Sequence, residues 1–303
     1  MSVQTLRIGS RNIELTRSNK VLFPDDGFTK GDLIEYYRFI APQMVPFLRG
    51  RPLMLARYPD GLKGFSFYQK AISDYYPDWI HRVTVPKEGG VVTHVLCDDA
   101  ATLVYLANQA AVTLHVWLSR ADKLDYPERL VIDLDPPADD PALVRWAALA
   151  ARDLLRDELG LQAWVMSTGS RGVHLTVPLD RKRPFDEVRH FAHGVAELLA
   201  RRHPDRLTVE ARKAKRGQRI YVDAGRNAYA ATAVAPYAVR ARPGAPVAVP
   251  LTWAEVEDEA CHPRRWNLKT MQERPESELT AWAEMPKRGA SLKAAQQVLN
   301  TLA

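Results

Sequence analysis

Cysteine is nearly absent from this chain: Cys97 and Cys261 are the only two in 303 residues. Their spacing fits neither a disulfide framework nor a thiolate metal site, so both are expected to be free thiols, as a reducing compartment permits. No apolar run approaches the length of a bilayer-spanning helix. The opening Met1-Ser2-Val3-Gln4 has neither the charged nor the apolar region of a signal peptide, so a soluble, cytoplasmic protein is expected. Internal repeats and long low-complexity linkers are missing too. Nor do acidic residues dominate: 42 Lys and Arg against 36 Asp and Glu leave a net charge of +6. A basic balance permits a polyanionic partner without requiring one. What is present is 46% hydrophobic and 26% charged, an ordinary globular mixture with enough apolar material for a sizeable core.

Alternation of apolar and polar residues from Val3 to Leu15 reads as a strand or hairpin, ended by the turn Pro24-Asp25-Asp26-Gly27. Thr29 with Asp32 forms a capping-box signature, and Leu33, Ile34, Tyr37, Ile40 and Ala41 supply the apolar face of a helix. Pro42 and Pro46 are expected to interrupt it. Strands are expected at 52–59, 65–69, 83–85, 91–97 and 114–118, with a helix over 100–111. From Leu130 the pattern becomes strand (130–134), helix (142–159), strand (163–166), hairpin partner (173–178) and helix (185–202), the alternation of a sheet covered by helices. Short strands at 207–209 and 219–222 flank the basic run Arg212-Lys213-Ala214-Lys215-Arg216-Gly217, and helical stretches follow Trp253. The expectation is an α+β chain folding as a single domain over 1–303. Its N-terminal lobe covers about 1–110, its central core about 111–260 and its helical tail 261–303.

Within this frame Val131-Ile132-Asp133-Leu134-Asp135-Pro136 carries the clearest chemistry. Residues two apart on a strand share a face, so Asp133 and Asp135 project side by side while Ile132 and Leu134 face a core. Paired carboxylates call for a cation, and hard oxygen ligands suit magnesium or manganese. The same pair also suits a strand end that caps the turn before Pro136. Asp223 closes the apolar strand Ile220-Tyr221-Val222, and three converging carboxylates would be enough for two ions beside a triphosphate. Taken alone, Asp223 reads equally as a turn residue before Gly225. The segment Ser167-Thr168-Gly169-Ser170-Arg171-Gly172-Val173-His174 joins two expected strands. Its glycines, hydroxyls, Arg171 and His174 could cradle phosphates, although a tight hairpin needs glycines as well.

Asp133-Leu134-Asp135, the Thr168 to His174 loop and Asp223, in that order, resemble the three catalytic motifs of the archaeo-eukaryotic primase superfamily. Within it the chain resembles the polymerase module of bacterial ligase D. The likeness spans most of the sequence. It includes Asn19-Lys20-Val21-Leu22-Phe23-Pro24, Thr29-Lys30, Gly64 through Lys70, His115-Val116-Trp117 with Ser119-Arg120, and Pro236-Tyr237 through Arg240.

This resemblance implies a primase-polymerase fold: a catalytic sheet like that of RNA-recognition modules, flanked by helices and packed against an N-terminal mixed lobe. It implies addition of nucleotides, preferably ribonucleotides, to a DNA 3′ end, with two Mn2+ or Mg2+ ions, for gap filling in nonhomologous end joining. Asp133, Asp135 and Asp223 would hold the metals. Thr168, Ser170, His174 and Arg240 would contact the incoming triphosphate, and His115 the nucleotide or primer end. Family members usually carry serine where Thr168 stands, so the hydroxyl is kept and a methyl added. Lys20 and Lys30, assisted by Arg17, are assigned to the 5′-phosphate of the downstream strand. Lys30 lies in a helical first turn, where N–H groups and the macrodipole favour anions, although either lysine alone also suits a solvated surface. Phe67, Tyr68, Lys70 and Arg216 are assigned to template or DNA. Because Phe67 and Tyr68 point to opposite faces of a strand, at most one is expected to stack on a base while the other packs inside. Arg216 belongs to a run read as a mobile loop over template or triphosphate, or simply as a solvated loop.

The implied partners are DNA with 5′-phosphorylated gaps or 3′ overhangs, nucleoside triphosphates, and Ku with ligase and phosphoesterase modules, in the bacterial cytoplasm at the nucleoid. No membrane partner is expected, and no K-x-D-G ligase motif occurs. Two other classes share some of these features. A D-x-D phosphohydrolase or glycosyltransferase is one, but Pro137 stands where a dehalogenase-type phosphatase would want threonine or valine. A non-catalytic module that aligns DNA ends is the other, and the retained carboxylates argue against it.

Overall fold

The computed structural model describes residues 4–302. Its backbone forms two compact units. The first contains the chain up to Asp122 together with Thr232–Ala248 and Trp266–Arg274; the second contains Lys123–Ala231, Val249–Arg265 and the stretch from Pro275 onward.

The first unit opens with the antiparallel hairpin β1 (Gln4–Ile8) and β2 (Arg11–Leu15), as the alternation predicts; Val3, where that expectation began, lies outside the described residues. β3 (Val21–Phe23) and β4 (Phe28–Thr29) pair around the Pro24 turn. Helix α1 (Lys30–Leu48) starts at Thr29 with both halves of the capping box: the Thr29 hydroxyl accepts from Asp32 N–H at 3.2 Å, and the Asp32 carboxylate accepts from Thr29 N–H at 2.8 Å. Pro42 and Pro46 do not end this helix, contrary to expectation. They sit four apart on its exposed face, where the carbonyls of Arg38 and Pro42 that lose their partners are open to solvent. Opposite them the fully buried Tyr36 and Tyr37 donate to Tyr237 O and Val112 O, each at 2.8 Å.

β5 (Leu53–Arg57), β6 (Phe67–Gln69), the hairpin β7 (Arg82–Lys87) and β8 (Gly90–Val95), helix α2 (Ala100–Asn108) and β9 (Ala111–Trp117) follow.

The second unit carries β10 (Arg129–Asp135), α3 (Pro141–Asp153), β11 (Trp164–Ser167), β12 (Val173–Pro178), α4 (Phe185–Arg202), β13 (Leu207–Thr208), the single turn α5 (Lys213–Arg216) and β14 (Ile220–Asp223). α3 continues into one wide π-helical turn, Leu154–Glu158. The chain then gives β15 (Thr232–Val234) to the first unit and β16 (Pro250–Leu251) to the second. The four-stranded sheet of the first unit runs β15-β9-β5-β6, and the six-stranded sheet of the second runs β13-β14-β10-β12-β11-β16. α3 and α4 lie side by side, with Trp146 edge-on to His203, and both cover β10 and β14.

Ile132 and Leu134 are fully buried, and each such burial contributes about 1.5–3 kcal/mol. Asp133 and Asp135 alternate with them and therefore emerge on the opposite face. An α+β architecture with a helix-covered sheet is thus present. Among the described residues no helix is long and apolar enough to cross a membrane.

Candidate active site

β10 lies between β14 and β12, and the register sets its neighbours: Asp133 faces Asp223 on one side and His174 on the other, while Asp135 faces Tyr221. All five side chains share one face of the sheet. Directly opposed like charges across a ladder repel, so the Asp133–Asp223 pair needs compensation. It comes from an imidazole and two guanidinium groups. His174 Nε2 stands 3.4 Å from Asp133 Oδ2, Arg226 Nε approaches the same oxygen at 3.5 Å, and Arg216 Nη1 reaches Asp135 Oδ2 at 3.2 Å. Asp223 Oδ1 accepts from Gly225 N–H at 2.7 Å and from the Tyr221 hydroxyl at 3.4 Å. Burial pushes the Asp133 carboxyl upward, but His174 and then Arg226 outweigh it, so the group is held below the ordinary aspartate range. The Tyr221 phenol is pushed up by burial and by Asp223, which keeps it a proton donor.

The basic run is a single helical turn with Arg216 buried, not an open loop. Its guanidinium donates to Glu210 O at 3.0 Å and Ala211 O at 2.8 Å, and lies 3.9 Å from the centre of the Tyr221 ring. Two carbonyls, a carboxylate and an aromatic face leave it against Asp135, where it neutralises the carboxylate shelf.

The Thr168 to Gly172 turn is stapled to the end of β10. Thr168 N–H and hydroxyl both donate to Gly172 O, at 3.0 and 2.9 Å, and Arg171 Nη1 donates to Pro137 O at 3.1 Å. A Cβ on Gly172 would stand 2.0 Å from Leu134 O, so this close approach admits glycine alone. The Thr168 hydroxyl is therefore engaged inside its own turn. The Ser170 N–H donates to it at 3.3 Å.

Among the described residues no three His, Cys, Asp or Glu side chains already stand close enough to hold a metal ion. The donor set nevertheless fits a hard divalent ion: three carboxylates on one face, each engaged by a cation or by N–H and O–H donors.

The other expected contacts lie in the first unit. Lys30 is buried, and its ammonium donates to Thr16 Oγ1 and Asn108 O, each at 3.0 Å. The N–H groups expected to face an anion at the start of α1 are taken by the chain itself: Lys30 N–H bonds Lys20 O at 2.8 Å and Gly31 N–H bonds Ser18 O at 2.7 Å. An anion here would meet side chains rather than amides. Burial, followed by the nearby Arg17 and Lys20, lowers the Lys30 pKa to about 8. Lys20 pairs with Asp60 at 2.9 Å.

Phe67 and Tyr68 are 36% and 66% exposed, so neither packs inside. β6 is the edge strand of its sheet, and neither of its faces is covered there. On one face Phe67 stacks on Phe65 and lies 5.3 Å from the Arg57 guanidinium; on the other Tyr68 is edge-on to His115, 6.3 Å between centres. Tyr58 lies within electrostatic reach of both Tyr68 and Arg240. Lys70 is exposed.

Sequence reasoning missed Tyr221, Arg226 and Asn227. Tyr221 was within reach, being two residues from Asp223 and so on its face. Nothing local marked Arg226 or Asn227, because their partners, Asp133 and Val131, lie far away in sequence.

Residues 29–282 match the family described as LigD, primase-polymerase domain. The Mycobacterium tuberculosis (strain H37Rv) multifunctional non-homologous end joining DNA repair protein LigD is 35% identical over 260 residues, 82% of this chain and 34% of that protein. The Pseudomonas aeruginosa multifunctional non-homologous end joining protein LigD is 34% identical over 271 residues, 88% of this chain and 32% of that protein. The chain thus spans about a third of the length of these relatives. A solved structure, the polymerase domain from M. tuberculosis ligase D in complex with DNA, superposes with a TM-score of 0.85 at 32% identity, covering 92% of this chain and 99% of that one. A family model over most of the chain, relatives at 34–35% identity and the matching fold agree: the chain belongs to the LigD primase-polymerase family.

Proposed function

We propose that this chain adds nucleotides, preferably ribonucleotides, to a DNA 3′ end beside a 5′-phosphorylated gap or overhang, as part of non-homologous end joining. The observation that carries the reading is the cross-strand pair Asp133–Asp223 with His174 on the other side of Asp133 and Asp135 one step along the same face. Asp133, Asp135 and Asp223 would hold Mn2+ or Mg2+, which when bound offsets charge on the phosphoryl oxygens and the primer hydroxyl. Arg216 and Arg226 would have to give up part of their hold on Asp135 and Asp133 for those carboxylates to take a cation. His174 stands where it can donate Nε2–H to an anionic phosphoryl oxygen, and Arg171 and Ser170 border the same strand end. In the first unit His115, with Tyr68 edge-on to it, and Arg240 are proposed to meet nucleotide or primer end. Ku and the ligase and phosphoesterase modules are proposed partners.

The deciding experiment is primer extension on gapped DNA with Mn2+, comparing ribo- and deoxyribonucleoside triphosphates. Extension with a ribonucleotide preference is expected. A chain that binds the DNA but extends no primer with any triphosphate and either metal would be an end-alignment module instead.

The Arg17, Lys20 and Lys30 cluster is proposed to receive the 5′-phosphate, because a phosphate dianion relieves the repulsion and desolvation that depress the Lys30 pKa. The sign follows. As pH rises through about 8, Lys30 loses its proton and the cluster loses attraction for the dianion. At one unit above that value only about a tenth of the free protein keeps the charge, so the preference for 5′-phosphate over 5′-hydroxyl ends should fall by up to roughly tenfold between pH 7 and 9. Fluorescence anisotropy with the two matched DNAs measures it, and a preference flat with pH would remove Lys30 from the site.

A further inference from the structure

We infer that Asn227 is a positioning residue for the carboxylates: its side-chain amide replaces the strand that β14 stops supplying to β10, and so holds Asp133 in register against Asp223. This rests on the proposed metal-binding role of those carboxylates.

Main-chain groups alternate sides along a strand, so Val131 and Asp133 present theirs to the same neighbour. At Asp133 that neighbour is Asp223, and continuing the antiparallel register would bring Gly225 opposite Val131. The chain has already left the ladder there, because Ala224 adopts a helical conformation and Gly225–Asn227 form a 3-10 turn. Asn227 closes the gap. Its Oδ1 accepts from Val131 N–H at 2.9 Å, and its Nδ2 donates to Val131 O at 2.7 Å and to Ala224 O at 2.9 Å. The side chain thus offers β10 the same acceptor and donor that a peptide group would, from a residue with no exposed surface.

Two consequences follow from this substitution. The turn leaves the sheet immediately after Asp223, which puts Arg226 beside Asp133 at 3.5 Å. It also keeps β10 satisfied up to the carboxylate, so that the strand cannot slip; a slip of one residue would turn Asp133 and Asp135 to the apolar side. Aspartate lacks the donors and alanine lacks both functions, so neither can replace the amide. Glutamine carries the amide one methylene too far.

The test compares wild type, Asn227→Asp, Asn227→Ala and Asp133→Asn by Mn2+ binding, read from the electron paramagnetic resonance signal of free Mn2+, and by hydrogen exchange at the Val131 amide. The Asn227 variants should bind Mn2+ about tenfold more weakly or worse, as losing an outer partner of a metal ligand typically does. Their affinity for 5′-phosphorylated DNA, measured at the Lys30 cluster, should stay within about twofold of wild type, because the hydrogen bonds of Asn227 go to Val131 and Ala224 and share no partner with that cluster. Wild type supplies the same answer without any variant: linkage is reciprocal, so saturating Mn2+ should slow exchange at Val131. Wild-type Mn2+ affinity in the Asn227 variants, or exchange at Val131 that ignores Mn2+, overturns the positioning role. If Asp133→Asn binds Mn2+ as well as wild type does, the metal reading itself falls, and the two failures are told apart.

Discussion

Asp133→Asn should lower nucleotide addition by at least about a hundredfold, the scale on which enzymes lose rate when a group that stabilises transition-state charge is removed. The substitution keeps the shape of the side chain and removes its charge. Asp133 is only 8% exposed and stands between Asp223 and His174 with Arg226 approaching it, so its charge lies at the centre of the cluster. Gel-based primer extension at saturating Mn2+ measures the effect, and a variant retaining more than a tenth of wild-type activity would sink the assignment.

The same substitution has a stability signature. His174 and Arg226 hold the Asp133 carboxyl below its ordinary range against the upward push of burial. A depressed carboxyl contributes stability above its unfolded pKa of about 4, and that contribution is lost as pH falls through the lower folded value. Wild type should therefore be more stable than Asp133→Asn at pH 7, and the difference measured by urea unfolding should shrink once the pH is taken below about 4.

Gly172→Ala should be the most damaging single-methyl substitution in the second unit. The new Cβ would lie 2.0 Å from Leu134 O and 3.1 Å from its carbonyl carbon, both backbone atoms of the strand that carries Asp133 and Asp135. Side chains can rotate away from an added methyl, but a ladder carbonyl cannot. Overpacking typically costs about 1–3 kcal/mol where flexible groups can yield, and the upper end or more is expected here. The Thr168 to Gly172 turn would have to lift from β10, taking Arg171 off Pro137 O and His174 out of line with Asp133. Urea denaturation should show the loss, accompanied by weaker Mn2+ binding. Wild-type stability in Gly172→Ala would mean that the turn is free to shift.

How far the chain was legible without its tertiary structure differs from element to element. The helix at 185–202 and the strand at 173–178 have the expected bounds because apolar period and breakers coincide there. α1 outran its expected interruption, since the cost of a proline depends on whether water reaches the carbonyls it orphans, and that is a property of the folded surface. Phe67 and Tyr68 were correctly placed on opposite faces, but whether a face is covered depends on the strand's position in the sheet. At β6 neither face is covered. Arg216 was recognised as a notable cation and not as the partner of Asp135, because a sequence separation of 81 hides the contact from any local pattern.

By itself the sequence determined which residues share a face and where the backbone must turn: a strand's period of two puts Asp133 beside Asp135, and Thr29 with Asp32 starts α1. The order of its motifs also determined the lineage. Only the tertiary structure decided which charges meet: that Asp133 stands against Asp223 and His174, that Arg216 and Arg226 close on the carboxylates, and that an asparagine amide completes the ladder at Val131. Facing and turning follow from torsional and steric preferences that act over a few residues. Pairing depends on strand order and register, which are settled by the burial of the whole sheet.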